Sequence, residues 1–148
     1  MKELFDSRAM ELANRHLLRE RRNTMSYLVA TEEDEAWAFS RSLFHRVVQA
    51  GVLECPAATL WRGHPCYGLL NWDAVTYPVV DWFQLVGSKL ADHKTAVYAL
   101  SFNPKVAVCL PFETVLRDLE ATDPAPTKRA FSTGTIDGVH LADWSAFR

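Results

Sequence analysis

The stretch "TAVYALSF", residues 95–102, most narrows what this chain can fold into. Its residues alternate with period two, Val97, Ala99 and Ser101 facing one way and Tyr98, Leu100 and Phe102 the other, and it stops at Asn103-Pro104. That pattern predicts a strand, and a strand requires a sheet around it. A second strand signal is "AATLW", residues 57–61, bounded by Pro56 and by Gly63 and Pro65. It leaves Arg62 at a strand end, where a guanidinium must be solvated, paired or used, because desolvating it alone is too costly. The final stretch "RAFSTGTIDGVHLADWSAF" predicts a hairpin around Asp137-Gly138, a pair suited to a type I′ turn.

Helical periodicity dominates elsewhere. Residues 3–22 place Phe5, Ala9, Leu12, Ala13 and Leu17 on one face of an amphipathic helix. A second helix is predicted from "TEEDEAWAF", with Thr31 as its cap, Glu32, Glu33, Asp34 and Glu35 at the positive end of its dipole, and Trp37, Phe44, Val47 and Val48 as its apolar face up to Gly51. Between them "NTMSYLVA" reads as a connector with strand character in its second half. "TYPVVDWFQLVGSKL" carries Val79, Trp82 or Phe83, Val86 and Leu90 on a helical stripe, and Val115, Leu116 and Leu119 predict a helix after Pro111. Residues 105–110, "KVAVCL", fit either a strand or a helix opened by Pro104. The expected class is therefore α+β: one domain over residues 1–148, with a helical part at 1–52 and a strand-rich part at 57–148, a small mixed or antiparallel sheet closed by the C-terminal hairpin.

Whole-chain numbers remove several functions. At 148 residues the chain can bury a real core, and a formal net charge of -2 gives no overall pull toward nucleic acid or anionic membrane. Nucleic acid would need a local patch, for which Arg15, Arg19 and Arg22 on the first helix are the candidates; Glu11 and Glu20 between them suit a solvated face better. No segment reaches the apolar length of a membrane span, and the charged N-terminal stretch is unlike a signal peptide, so a cytoplasmic protein is expected. Cys55, Cys66 and Cys109 lack any paired spacing and read as small buried hydrophobes. No metal-site spacing, phosphate loop or nucleophile elbow occurs. His93-Lys94-Thr95 is half of a two-histidine phosphoesterase pattern, and its second half is missing.

Two motifs carry a family resemblance: "LWRG" is similar to an aromatic-Arg-Gly strand, and "SFNPKVA" to a Ser-Phe strand running into a helix start. Together they resemble the ADP-ribosyltransferase fold family, over residues 58 to 110. The resemblance implies transfer of ADP-ribose from NAD, as substrate, to a protein target. Arg62, with Gly63, would then clamp the phosphates or the ribose, Ser101 would orient the ribose, and Tyr98 or Phe102 would be the aromatic beside the nicotinamide. A carboxylate would stabilise the oxocarbenium-like state. The family's late glutamate has no counterpart, since no glutamate follows Glu120; Asp143 and Asp137 are the carboxylates of the last hairpin. Asp137 equally suits a turn. The alternative is a non-catalytic binding or inhibitor protein on a degenerate transferase scaffold, acting through an aromatic and arginine surface for which Trp61, Trp72 and Trp144 are candidates.

Overall fold

The computed structural model describes residues 24–88 and 93–148. It opens with β1 (Thr24–Glu32) and β2 (Glu35–Ser40), paired antiparallel from Glu32↔Glu35 to Tyr27↔Ser40. The acidic run predicted to start a helix is instead the two-residue turn of this hairpin, with Glu33 at φ 53. Trp37 and Phe39 therefore alternate onto one face and Ala38 onto the other. The helix predicted at residues 3–22 lies outside the described residues.

A 3-10 turn, Arg41–Leu43, carries the chain to β3 (Arg46–Val48) and β4 (Leu53–Glu54). Next come the small hairpin of β5 (Leu60–Trp61) and β6 (His64–Pro65), then β7 (Gly68–Trp72) and β8 (Val75–Asp81). The long helix predicted from Thr76 shrinks to Trp82–Leu85, because the β-branched run before it is strand β8. The predicted strand at 95–102 is β9 (Val97–Phe102), and a turn at Asn103-Pro104, joined by a cis peptide bond, leads into β10 (Lys105–Leu110). The helix expected after Pro111 is also a strand, β11 (Val115–Glu120). The C-terminal hairpin is β12 (Ser132–Ile136) and β13 (Val139–Ala142), followed by a 3-10 turn, Trp144–Phe147. Its tip has Asp137 at φ 52 and Gly138 at φ 78, the left-handed pair of a type I′ turn.

These strands form a five-stranded sheet in the order β11-β1-β2-β13-β12 and a six-stranded sheet in the order β3-β9-β10-β8-β7-β4. Most pairs are antiparallel; β13 with β2 and β10 with β8 are parallel. The α+β expectation is thus corrected to a mostly β architecture, and residues 24–52 of the supposed helical part hold β1, β2, β3 and one 3-10 turn. Among the described residues no helix is long and apolar enough to cross a membrane.

Two cores share the β1–β2 ribbon. Tyr27, Val29 and Ala38 face a small core with Leu119, Ile136 and Val139. Leu28, Ala30, Trp37 and Phe39 face the main core, built with the inner face of the six-stranded sheet. Edge-on aromatic contacts cross that core: Trp37 to Trp82 at 5.4 Å, Phe39 to Trp82 at 4.9 Å, and Trp144 to Phe147 at 5.0 Å between ring centres. Asp81 is buried at the end of β8; its carboxylate accepts from the amides of Phe83 and Gln84, starting the short helix, and from His93 Nε2 at 2.7 Å.

Two polar ties hold the sheets together at their rims. Glu35 accepts from Trp37 Nε1 at 2.8 Å, from Arg129 Nε at 3.1 Å and Nη2 at 3.0 Å, and from Ser88 Oγ at 3.2 Å. Arg129 also donates to the Val86 carbonyl at 2.6 Å, so one ion pair gathers the β1–β2 turn and the segment after the short helix. At the other rim the β5–β6 hairpin grips the C-terminal turn: Arg62 Nη1 donates to the Phe147 carbonyl and His64 Nε2 to that of Ala146, both at 2.7 Å. Arg62 at φ 50 and Gly63 at φ 81 form the left-handed turn that aims these side chains, a conformation that a β-branched residue at position 63 would strain.

Burial raises the Glu35 pKa, but the bonds from Arg129, Trp37 and Ser88 outweigh it and the net shift is downward from 4.5. The stability this group contributes is present above the unfolded value and is lost as pH falls through the lower folded one. Glu35→Gln is expected to lose about 1 kcal/mol near neutrality and less than the parent on acidification from about pH 5 to pH 3, in denaturant melts across pH. An identical acid response of the two proteins would refute this account. Arg62→Ala is expected to lower stability by about 1–2 kcal/mol by freeing the C-terminal turn; an unchanged denaturation midpoint would show that the grip contributes nothing.

Candidate functional site

Strand β11 ends the five-stranded sheet and β3 ends the six-stranded one, and neither has a second neighbour among the described residues. Between these edges lies a cavity of about 370 Å³. Leu28, Phe44, Val47 and Leu116 give it an apolar lining, and Arg41, His45 and Arg46 add a basic one. Leu28 and Leu116 are directly opposed across β1 and β11, one buried and the other 60% exposed. Val115 and Val47 beside them are also exposed. An apolar edge strand open to water is a template for another chain, and natural sheets blunt such edges unless they are used.

The local sequence builds this groove through the crossing between sheets. The 3-10 turn at Arg41–Leu43 closes with the Phe44 amide bonded to the Arg41 carbonyl at 3.2 Å, and the His45 amide then bonds to Leu100 in β9 at 3.0 Å. Phe44 anchors inward against Trp144, 5.4 Å away. His45 is fixed by a stack on Phe102, 3.8 Å between ring centres and parallel to within 1°, and by a 3.2 Å hydrogen bond with the Tyr77 hydroxyl. Burial and then the neighbouring Arg46 charge depress its pKa, so near neutrality the groove's positive charge belongs to Arg41 and Arg46. Among the described residues no carboxylate and no thiol lines the cavity. The lining offers apolar contact and positive charge, and among the described residues it pairs no nucleophile with a base.

The residues predicted to form a catalytic cleft are placed differently. Arg62 and Gly63 make the β5–β6 turn, with the Arg62 guanidinium on the Phe147 carbonyl and 5.2 Å from the Trp61 ring centre. Ser101 is fully buried in β9, its hydroxyl oxygen accepting from the Asn103 amide at 3.3 Å. Tyr98 is buried on the opposite face of that strand, and its hydroxyl donates to the His93 carbonyl. Phe102 is exposed and holds His45. Asp137 sits in the hairpin turn, and Asp143 starts the last 3-10 turn by accepting from the Ser145 amide at 3.1 Å. The structure brings Asp143 and Arg62 to the same C-terminal turn, but Ser101 has no solvent-facing surface with which to join them. Trp144 is buried in the main core, whereas Trp72 is half-buried beneath Arg46, 5.8 Å from its ring centre.

Sequence reading missed the groove because Phe44 and Val47 had been assigned to one helical face and Leu116 to another. The signal available was the β-branched pair in "HRVVQ" and the exposed apolar pair in "TVLRD". Among the described residues there is no cluster of three or more histidine, cysteine, aspartate or glutamate side chains that could hold a metal ion.

No family model matches the chain, and neither does any curated protein. Among solved structures, the scaffolding protein TtCheW from Thermoanaerobacter tengcongensis matches with a TM-score of 0.61 at 15% identity, over 80% of this chain and 82% of that one. This likeness overturns the ADP-ribosyltransferase resemblance, and NAD-dependent transfer of ADP-ribose loses its basis with it. The physical reason lies in the two motifs: "LWRG" is a tight hairpin turn, and "SFNPKVA" runs from one strand into another where the family resemblance required a helix. In fold, the chain is similar to a CheW-type scaffolding protein.

Proposed function

We propose that this protein is a non-catalytic scaffolding module that binds an acidic, apolar segment of a partner protein in the groove between β11 and β3. The observation that carries the reading is the groove itself: exposed Val47 and Leu116 beside the guanidinium groups of Arg41 and Arg46, with no carboxylate in the lining among the described residues. An apolar stripe would fill the cavity, acidic residues would meet the arginines, and the two open sheet edges would supply backbone hydrogen bonds. Likeness of fold to a scaffolding protein supports the same reading, which is the binding-protein alternative set out from the sequence rather than the transferase.

Selection from a displayed library of random linear peptides tests it directly. Enriched peptides are expected to combine acidic with large apolar residues, and to lose about tenfold or more in affinity against Leu116→Ala or Arg46→Glu, measured by titration calorimetry. Basic peptides, or peptides whose affinity is unmoved by both substitutions, would overturn the proposal.

A further inference from the structure

The expectation that all three cysteines are small buried hydrophobes holds for Cys109, which is fully buried, and fails for Cys55 and Cys66, which are half-exposed. Both line a second cleft, of about 450 Å³, together with Thr59, Tyr67 and Gln84. Their approach is fixed by backbone. Register of β4 with β7 runs Leu53↔Leu69 and Glu54↔Gly68, and the Cys55 amide continues it by bonding to the Tyr67 carbonyl at 3.1 Å. Cys66, one residue before Tyr67, is held by its own amide on the Thr59 carbonyl at 2.9 Å, and Thr59 is bonded back to Pro56. Both cysteines thus border the one cleft, and Cys66 Sγ also reaches the Gly68 carbonyl at 3.4 Å.

We propose that Cys55 and Cys66 are a reversible thiol–disulfide site that reacts with small-molecule disulfides. The thiolate of one cysteine attacks a sulfur of the small disulfide, forming a mixed disulfide and releasing one small thiolate. The second cysteine gives its proton to solvent and attacks the protein sulfur of that bond, releasing the second small thiolate. Two protein thiols are thereby oxidised by two electrons and one small disulfide is reduced to two thiols. The ring so closed contains the whole β5–β6 hairpin, which carries the Arg62 and His64 grip on the C-terminal turn. Oxidation therefore acts on that grip by reducing the freedom of the loop that presents it. Burial and then the neighbouring Cys66 raise the Cys55 pKa above 9.0, so exchange accelerates as pH rises toward that value. Cys109, whose thiol burial pushes up strongly, serves as the internal control. The inference is independent of the partner groove, which contains neither cysteine.

The test is native full-length protein incubated with oxidised glutathione at about pH 8, quenched with acid, alkylated after unfolding and mapped by mass spectrometry without reduction. Loss of two alkylatable thiols with a direct Cys55–Cys66 link, reversed by reduced thiol, is the expected result. Cys55→Ser and Cys66→Ser should each stop at a single glutathione adduct, and the oxidised parent should resist trypsin at Arg62 longer than the reduced one. Separate stable adducts on both cysteines, disulfide-linked dimers without the internal link, or a link that forms no faster in the native than in the denatured chain would each overturn the proposal.

Discussion

Everything in this fold depends on one two-stranded ribbon being buried on both faces. In β1 the run Tyr27, Leu28, Val29 and Ala30 is buried without a break, because odd positions fill the small core and even positions the main one. The ribbon is the wall between the two cores, and Trp37 and Phe39 on it carry the contact to Trp82. Removing water from both sides of one wall is the dominant favourable term available to a chain of this size. The rim ties at Glu35 and Arg62 then orient what the cores have already joined.

That double burial also explains which elements could be read from the sequence. The strand at 97–102 was legible although it too is buried on both faces, because residues of strand composition run straight into the stop at Asn103-Pro104, and the Asp137-Gly138 hairpin because turn chemistry is local. The ribbon was not: a strand buried on both faces loses its apolar–polar alternation, and a short unbroken apolar run such as "AWAF" fits a helix as well as a strand. The acidic run before it strengthened the error, since Glu and Asp suit both a helix start and an exposed hairpin tip. In "TVLRDLE" the spacing of Val115, Leu116 and Leu119 mimics a helical stripe, although only Leu119 turns inward.

The candidate site was less legible than the fold. Leu28, Phe44, Val47 and Leu116 come from three separate parts of the chain, and what makes them a site is that two strands end their sheets beside one another. Edge position is a property of topology and leaves no mark on composition. Arg62 shows the reverse case: its placement at a strand end was right, and the need for a partner was right, but the partner is a backbone carbonyl at the far end of the chain. A guanidinium satisfied by Phe147 has the same sequence signature as one awaiting a phosphate.

The parallel pairing of β13 with β2 sets the order in which the molecule can be assembled. During synthesis β1 and β2 emerge early, while the strand that covers the open side of β2 is among the last to be made. Until β13 arrives, one side of β2 stays unpaired, even once Trp82 has packed against Trp37 and Phe39. Pairing across such a sequence separation is slow, and a waiting apolar edge can be taken by another chain. The strand order thus keeps one side of β2 exposed to wrong partners until late in folding, independently of how stable the finished protein is.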